Sequence, residues 1–323
     1  MTALVLSLVA ALVFTPVVIA LVHRWQLIDV PNHRSSHTVP IPRGGGIAVL
    51  VAAVLAAALV ADWTYPLVAL VVGAVVLGAT GFVDDRWDLA ALPRLAIQVA
   101  TPAVVGVLIA DRLTWWLVVA AIVVAGYVNA FNFMDGINGI SGSQAAIAGA
   151  FLALVADEVG AGSLSTAGWA VCGASIGFLP FNAVRARIFL GDVGSYFLGF
   201  WLAGLALLVV DAGAPVIVVL GPFLLYLLDT STVLVRRARR GERLTEAHRE
   251  HAYQLLHQAG WSHLAVSALC AAVAGVCALI MYAVLDASWD VQVAGLVGSL
   301  VVVAGYLALP SLVRRRSVDR GVV

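Results

Sequence analysis

Lysine is absent from this chain of 323 residues, so all 18 of its basic side chains are arginine. That leaves no amine for a lysine-centred site, and it fits an arginine-biased genome better than any mechanism. Charge is also scarce: only 11% of residues are charged while 62% are hydrophobic. A soluble domain of this size could not bury so much apolar surface, and that class is excluded. Cysteine is limited to Cys172, Cys270 and Cys277. All three lie within apolar runs and none has metal-ligand spacing, so they read as packing residues. No internal repeat, low-complexity linker or matching pair of broken helices is present, which argues against an inverted-repeat transporter. The first apolar run has no basic leader, so it reads as a retained span and not as a secretory signal.

What remains is an all-α, polytopic integral membrane protein. Runs of about 17 to 22 apolar residues mark spanning helices. They fall near 3–22, 45–61, 66–83, 95–110, 115–131, 143–156, 167–181, 195–210, 214–235, 263–285 and 291–312, or 10 to 11 helices in one membrane-embedded domain covering 1–323. The net charge is zero, but its distribution is one-sided. Arg24, Arg34, Arg43, Arg86, Arg94, Arg185, Arg187, the group from Arg236 to Arg249 and the tail from Arg314 to Arg320 share a side, and Arg112 stands alone on the other. By the positive-inside rule the amino terminus is outside and the carboxyl terminus cytoplasmic. The polar motifs then all face the cytoplasm, and the outer loops are too short to hold a site.

Five inner segments carry functional side chains. In the first, from Asp29 to Gly46, three prolines favour extended chain, and Gly44, Gly45 and Gly46 open a helix. Exposed N–H groups at that helix start, with Arg34, His37 and Arg43 alongside, would suit an anion; a loop whose arginines only set topology is the plainer reading.

In the second, Asp84-Asp85-Arg86-Trp87-Asp88, an apolar run ends on paired carboxylates. The carbonyl end of a helix disfavours negative charge, so something positive must lie opposite. A metal or substrate complex is one candidate, and pairing with Arg86 and Arg94 the other. If the helix persists, Asp84 and Asp88 share a face. Such carboxylates suit magnesium, which couples one or two of them to substrate phosphates.

The third segment, Asn129 to Gly142, holds Asn132, Asp135 and Asn138 at every third position, with Gly136, Gly139 and Gly142 expected to end the helix. Amides beside a carboxylate suit a nucleobase or sugar. The fourth, Phe181 to Ser195, contains Asn182, Arg187 and Asp192. Asp192 reads either as a helix N-cap or as a metal and diphosphate contact.

The fifth, Arg236 to Ser262, contains His248, Arg249 and His251. The two histidines lack zinc-helix spacing, and a basic wall for phosphate fits better. Asp229, just inside a span, is expected to pair with a nearby arginine and is assigned no chemistry.

In order and placement these segments resemble the polyprenyl-phosphate N-acetylhexosamine-1-phosphate transferase family (glycosyltransferase family 4). The resemblance rests on Asp84-Asp85-Arg86-Trp87-Asp88, Asn132-Phe133-Met134-Asp135-Gly136, Ile188 to Ser195, and His248-Arg249-Glu250-His251-Ala252-Tyr253-Gln254. The histidine segment looks more like the O-antigen-initiating branch than the muramoyl-pentapeptide branch. The resemblance implies transfer of a sugar-1-phosphate from a UDP-sugar to polyprenyl phosphate, with release of UMP, in the inner membrane of a bacterium.

It also implies Asp192 as a ligand to Mg2+, or Mn2+ in its place, with Asp84 as a further ligand. Asp84, Asp85 and Asp192 would be catalytic. Asn132, Asn182, Asp135 and Asn138 would lie near the nucleotide, and His248, Arg249 and His251 near diphosphate or sugar. Asn138 stands where the family often has aspartate, and Arg187 near its usual lysine. Nucleic acid is not an expected partner; a homodimer is compatible with the sequence. The rival readings are an intramembrane prenyltransferase, which usually needs a second acidic cluster, and a transporter, whose ionisable groups should lie nearer mid-bilayer.

Overall fold

The computed structural model describes residues 1–31, 39–110, 115–243 and 248–319. The helices in chain order are α1 (Thr2–Arg24), α2 (Gly46–Val60), α3 (Tyr65–Trp87), α4 (Ala91–Ala110), α5 (Trp115–Met134), α6 (Ile140–Glu158), α7 (Gly162–Asn182), α8 (Gly191–Asp211), α9 (Val216–Val219), α10 (Leu224–Arg239), α11 (Ala252–Gln258), α12 (His263–Ala283) and α13 (Trp289–Asp319). A pair of two-residue strands, β1 (Ile28–Asp29) and β2 (Ile41–Pro42), is the extended chain that the prolines anticipate. Ten spans among the described residues are long and apolar enough to cross a bilayer, α9 to α10 counting as one.

The run near 143–156, the shortest expected, is a 19-residue helix, because Ile140 to Gly142 join it at one end and Asp157 and Glu158 at the other. Gly142 therefore does not end a helix. It lies buried inside α6, where a Cβ would stand 2.9 Å from Leu179. The short member is instead α2, with 15 residues. The run 214–235 is not continuous either: Gly221 and Pro222 sit in a 3-10 turn between α9 and α10, and the carbonyl of Pro222 accepts from Gln144 Nε2 at 2.7 Å. Proline lacks the N–H that would continue the ladder, and at this break the Pro222 carbonyl takes an intramembrane donor.

The bundle is built around α8, 78% of whose apolar window is buried, whereas α4 and α13 are buried over only 17% of theirs and face outward. Small residues let helices approach α8. A Cβ on Gly46 would lie 2.1 Å from Gly194, and one on Gly81 would lie 2.1 Å from the Asp192 carbonyl oxygen. Without a hydrophobic drive between helices in lipid, such close backbone approach does the packing. It also sets α3 and α8 side by side at the end of the bundle where the polar segments gather.

Candidate active site

α3 carries Asp84 and Asp85 in its last turn and stops at Asp88, whose left-handed φ of 51° turns the chain away. Asp88 is exposed, so the expected shared face with Asp84 does not form. Asp84 and Asp85 are buried, 4% and 2% exposed, and the positive partners they require come from the protein itself. Arg94 Nη1 lies 3.2 Å from Asp84 Oδ2, and the Arg43 guanidinium lies 3.7 Å from Asp85 Oδ1 and also donates to the Asp85 carbonyl. Arg86, the other expected partner, donates to the Trp25 carbonyl instead.

The third positive element is a helix end. Asp85 Oδ2 accepts the Val193 N–H of α8 at 3.1 Å, so the carbonyl end of one helix meets the amino end of another through this side chain. Each dipole then faces its complement. Gly191, at φ +75°, allows this contact, since a Cβ there would lie 2.6 Å from Asp85 Oδ2.

Asp192 sits inside the first turn of α8 and does not cap it. Its Oδ1 accepts from Asn132 Nδ2 at 2.6 Å, and the same amide donates to Ser195 at 2.9 Å. Tyr196, one turn beyond Asp192, donates its hydroxyl to Asp84 Oδ2 at 2.6 Å. Tyr196 is a site residue that hydropathy hides; its i+4 spacing from Asp192 is the signal that would find it.

A second wall adjoins the first through α5. Asn132 reaches the aspartates, while the neighbouring Phe133 ring lies 6.4 Å from both His248 and His251, which are themselves 5.1 Å apart between ring centroids. Tyr253 donates to the Phe133 carbonyl at 3.0 Å. Burial pushes the Asp135 carboxyl up to about 7; the Ser141 hydroxyl opposes this and the charge of Asp192 adds to it. His248 is pushed down to about 4, chiefly by burial, with His251 and Arg237 adding to the effect. It is therefore neutral near pH 7.

Several expected binding residues serve the scaffold. Gly45 and Gly46 spend their N–H groups on the carbonyls of Phe189 and Leu190, both at 2.8 Å, so no cradle of free N–H groups opens there, though Gly44 adopts φ +102° beside them. Asn182 uses both ends of its amide, accepting from Gly139 N–H at 2.7 Å and donating to the Ile188 carbonyl at 3.0 Å. These two bonds shape the loop and leave one N–H and one lone pair of the amide uncommitted. Asn138 is half-buried, with its carbonyl held by Ser267 at 2.7 Å; Arg187 is exposed and Arg249 half-buried. Arg34 and His37 lie outside the described residues. Asp229 pairs with His251 at 3.2 Å and not with an arginine, because α11 lays its amino end over it.

The donor set limits how a cation could be held. Among the described residues no three His, Cys, Asp or Glu side chains form a ready cage. Magnesium needs less, since one or two carboxylates with substrate phosphates suffice. Asp192 fits, because its Oδ2 has no hydrogen-bond partner among the described residues. Asp84 is more heavily engaged: Oδ1 accepts from Leu89 N–H at 2.8 Å and keeps one lone pair, while Oδ2 is taken by Tyr196 and Arg94.

Ten helices among the described residues that are long and apolar enough to cross a membrane, with an acidic, arginine-flanked cluster at one end of the bundle, define a polytopic membrane protein. The description "Glycosyl transferase family 4" matches residues 67–210, a stretch that contains both Asp84-Asp85 and Asp192. The decaprenyl-phosphate N-acetylglucosaminephosphotransferase of Mycobacterium tuberculosis is 33% identical, the match covering 75% of this chain and 72% of that protein. The undecaprenyl-phosphate alpha-N-acetylglucosaminyl 1-phosphate transferase of Escherichia coli is 28% identical over 73% of this chain and 70% of that one. A phospho-N-acetylmuramoyl-pentapeptide-transferase from Symbiobacterium thermophilum is 33% identical over 62% and 71%. The chain belongs to glycosyl transferase family 4.

Proposed function

We propose that this protein transfers a sugar-1-phosphate, an N-acetylhexosamine-1-phosphate, from a UDP-sugar to polyprenyl phosphate at the cytoplasmic face of a bacterial inner membrane. The products are a polyprenyl-diphosphate sugar and UMP. The observation that carries this reading is the convergence of Asp84, Asp85 and Asp192 with Arg43 and Arg94 at the junction of α3 and α8, in a chain whose relatives act on polyprenyl phosphates by name.

A lipid phosphate oxygen attacks the sugar-linked phosphorus of the UDP-sugar as its bond to the UMP oxygen breaks. With both reactants fully ionised, charge balances without a proton. The work left to the protein is positioning and neutralisation of charge, as in other phosphoryl transfers. Arg43 and Arg94 border the reacting phosphates while remaining anchored on Asp85 and Asp84. Asn132 fixes the Asp192 carboxylate, and the wall of Phe133, His248 and His251 takes the sugar or diphosphate. Magnesium bound at Asp192 would neutralise phosphate charge. Direct attack is the simpler route, because an acidic cluster beside a metal can hold that metal without acting as a nucleophile.

The test incubates purified protein with undecaprenyl phosphate, magnesium and a panel of UDP-N-acetylsugars. UMP release supports the reading, and UDP release means ordinary glycosyl transfer. Exchange of labelled UMP into UDP-sugar without lipid would replace direct attack by a covalent route.

A further inference from the structure

The first two turns of α4 are fastened to the bundle by very little. From Ala91 to Gln98 only Arg94 and Gln98 turn inward, four residues apart on one face, while Leu92, Leu95 and Ile97 are exposed. Lipid is as apolar as those exposed side chains, so they give this arm no drive to stay docked. Both inward contacts are polar: Arg94 on Asp84 at 3.2 Å, and Asn129 Nδ2 of α5 donating to Gln98 Oε1 at 2.8 Å. Pro102, inside α4, has no N–H for the Gln98 carbonyl, so the helix is weakened where the second contact sits.

Gln98 is a poor stabiliser. It is fully buried, and its Nε2 has no hydrogen-bond partner among the described residues. The amide cannot simply be turned over: Asn129 Nδ2 also donates to the Ala125 carbonyl at 2.8 Å, so the Gln98 atom that meets it must be the oxygen. One bond is made and one buried donor is left without an acceptor, and the second effect offsets the first. A leucine of similar size would pack there without a stranded amide. What it would lack is the directed link to Asn129. That residue stands three positions before Asn132, whose Nδ2 holds Asp192 at 2.6 Å, so the link ties the arm carrying Arg94 to the helix end that carries Asn132.

We infer that Gln98 is a positioning residue for the transfer: by latching the first two turns of α4 onto α5, it keeps Arg94 on Asp84 and beside the reacting phosphates. The inference rests on the transfer reading above for its consequence, and on the geometry of α4 and α5 for the latch itself.

The experiment uses the full chain in bilayer nanodiscs with Gln98→Leu, Arg94→Gln and the double variant of these two. Ile97→Ala, on the exposed side of the same arm, is the control. Gln98→Leu should melt close to the wild type yet lower kcat by about 10- to 100-fold, the scale of a displaced reacting group. Added to Arg94→Gln it should cost little more, since both act through one guanidinium. Ile97→Ala should keep the wild-type kcat.

If Gln98→Leu melts early but its folded fraction keeps full kcat, or if it no longer folds, Gln98 is a brace and the inference is overturned. An equal loss with Arg94 already gone, or an equal loss in Ile97→Ala, overturns it too. A second readout needs no turnover. Backbone hydrogen exchange in Gln98→Leu should quicken several-fold over residues 91–98 and stay unchanged over 103–109; unchanged exchange at 91–98 overturns the latch. A wild type that releases no UMP would refute the proposed function instead, and the exchange pattern alone would then decide for or against the latch.

Discussion

The carboxylate of Asp85 on α3 caps α8 through the Val193 N–H at 3.1 Å, joining residues 108 positions apart. Asp85→Asn retains an acceptor but removes the charge that both Arg43 and the helix end answer. It should lower stability by about 1–2 kcal/mol and reduce phosphosugar transfer at least about 100-fold, as loss of an electrostatic stabiliser does. Thermal unfolding in detergent and the UMP-release assay check the two effects separately.

Gly81 sets how closely α3 and α8 approach, since its missing Cβ would lie 2.1 Å from the Asp192 carbonyl oxygen and 2.6 Å from Val193 N. Gly81→Ala must push the helices apart and should cost about 1–3 kcal/mol. Gly126, which has nothing within 4 Å of its notional Cβ, is the control: Gly126→Ala should be neutral or stabilising by up to about 1 kcal/mol. Equal melting temperatures for the two variants would contradict this packing account.

Tyr196 holds Asp84 with a 2.6 Å bond from its hydroxyl. Tyr196→Phe keeps the ring and removes the donor, and hydrogen bonds to charged groups contribute about 1.5–3 kcal/mol. Comparable destabilisation is expected, with reduced transfer, because Arg94 then holds Asp84 without the phenol. Guanidinium would not restore the activity, whereas the tyrosine would.

Asp135 provides a pH signature. Its carboxyl is raised from 3.8 to about 7, burial being the main cause. The folded protein thus binds this proton more tightly than the unfolded chain does. Stability from the group is present in full below the unfolded value and is lost as pH rises toward about 7. Asparagine carries no such charge. Asp135→Asn should therefore melt close to the wild type at pH 4 and roughly 2 to 4 °C above it at pH 8, the shift that about 1 kcal/mol gives in a large domain. Both scans need a chelator, so that no divalent cation compensates the carboxylate. A wild-type advantage that grows with pH would reverse the sign and refute the assignment.

Much of this was legible in the residues. Apolar runs placed the long spans because bilayer thickness dictates their length, and the polar stretches holding Asp84, Asn132, Asp192 and His248 stood out against them. Partner choice was not legible. A carboxylate at a helix end demands a positive neighbour, but nothing in local sequence says that Arg43, Arg94 and the start of α8 supply it. Asp229 read as a partner for the abundant nearby arginines, yet the short α11 intervened. Gly142 shared its spacing with Gly136 and Gly139, so only tertiary contact with Leu179 separates a packing glycine from a helix terminator. α8 is apolar all round because it is buried on every side, and that conceals which of its faces meets the aspartates and hides Tyr196.

The brevity of α2 has a consequence of its own. At 15 residues it rises about 22 Å, against a hydrocarbon layer of about 30 Å. It begins beside Gly194 and not level with Trp87, so α3 runs on past it toward the interface. The vacated corner is where Arg43 folds in to touch Asp85. One more turn at its start would wind Arg43, Gly44 and Gly45 into the helix and draw the guanidinium away from Asp85, leaving that carboxylate without one of its two counterweights.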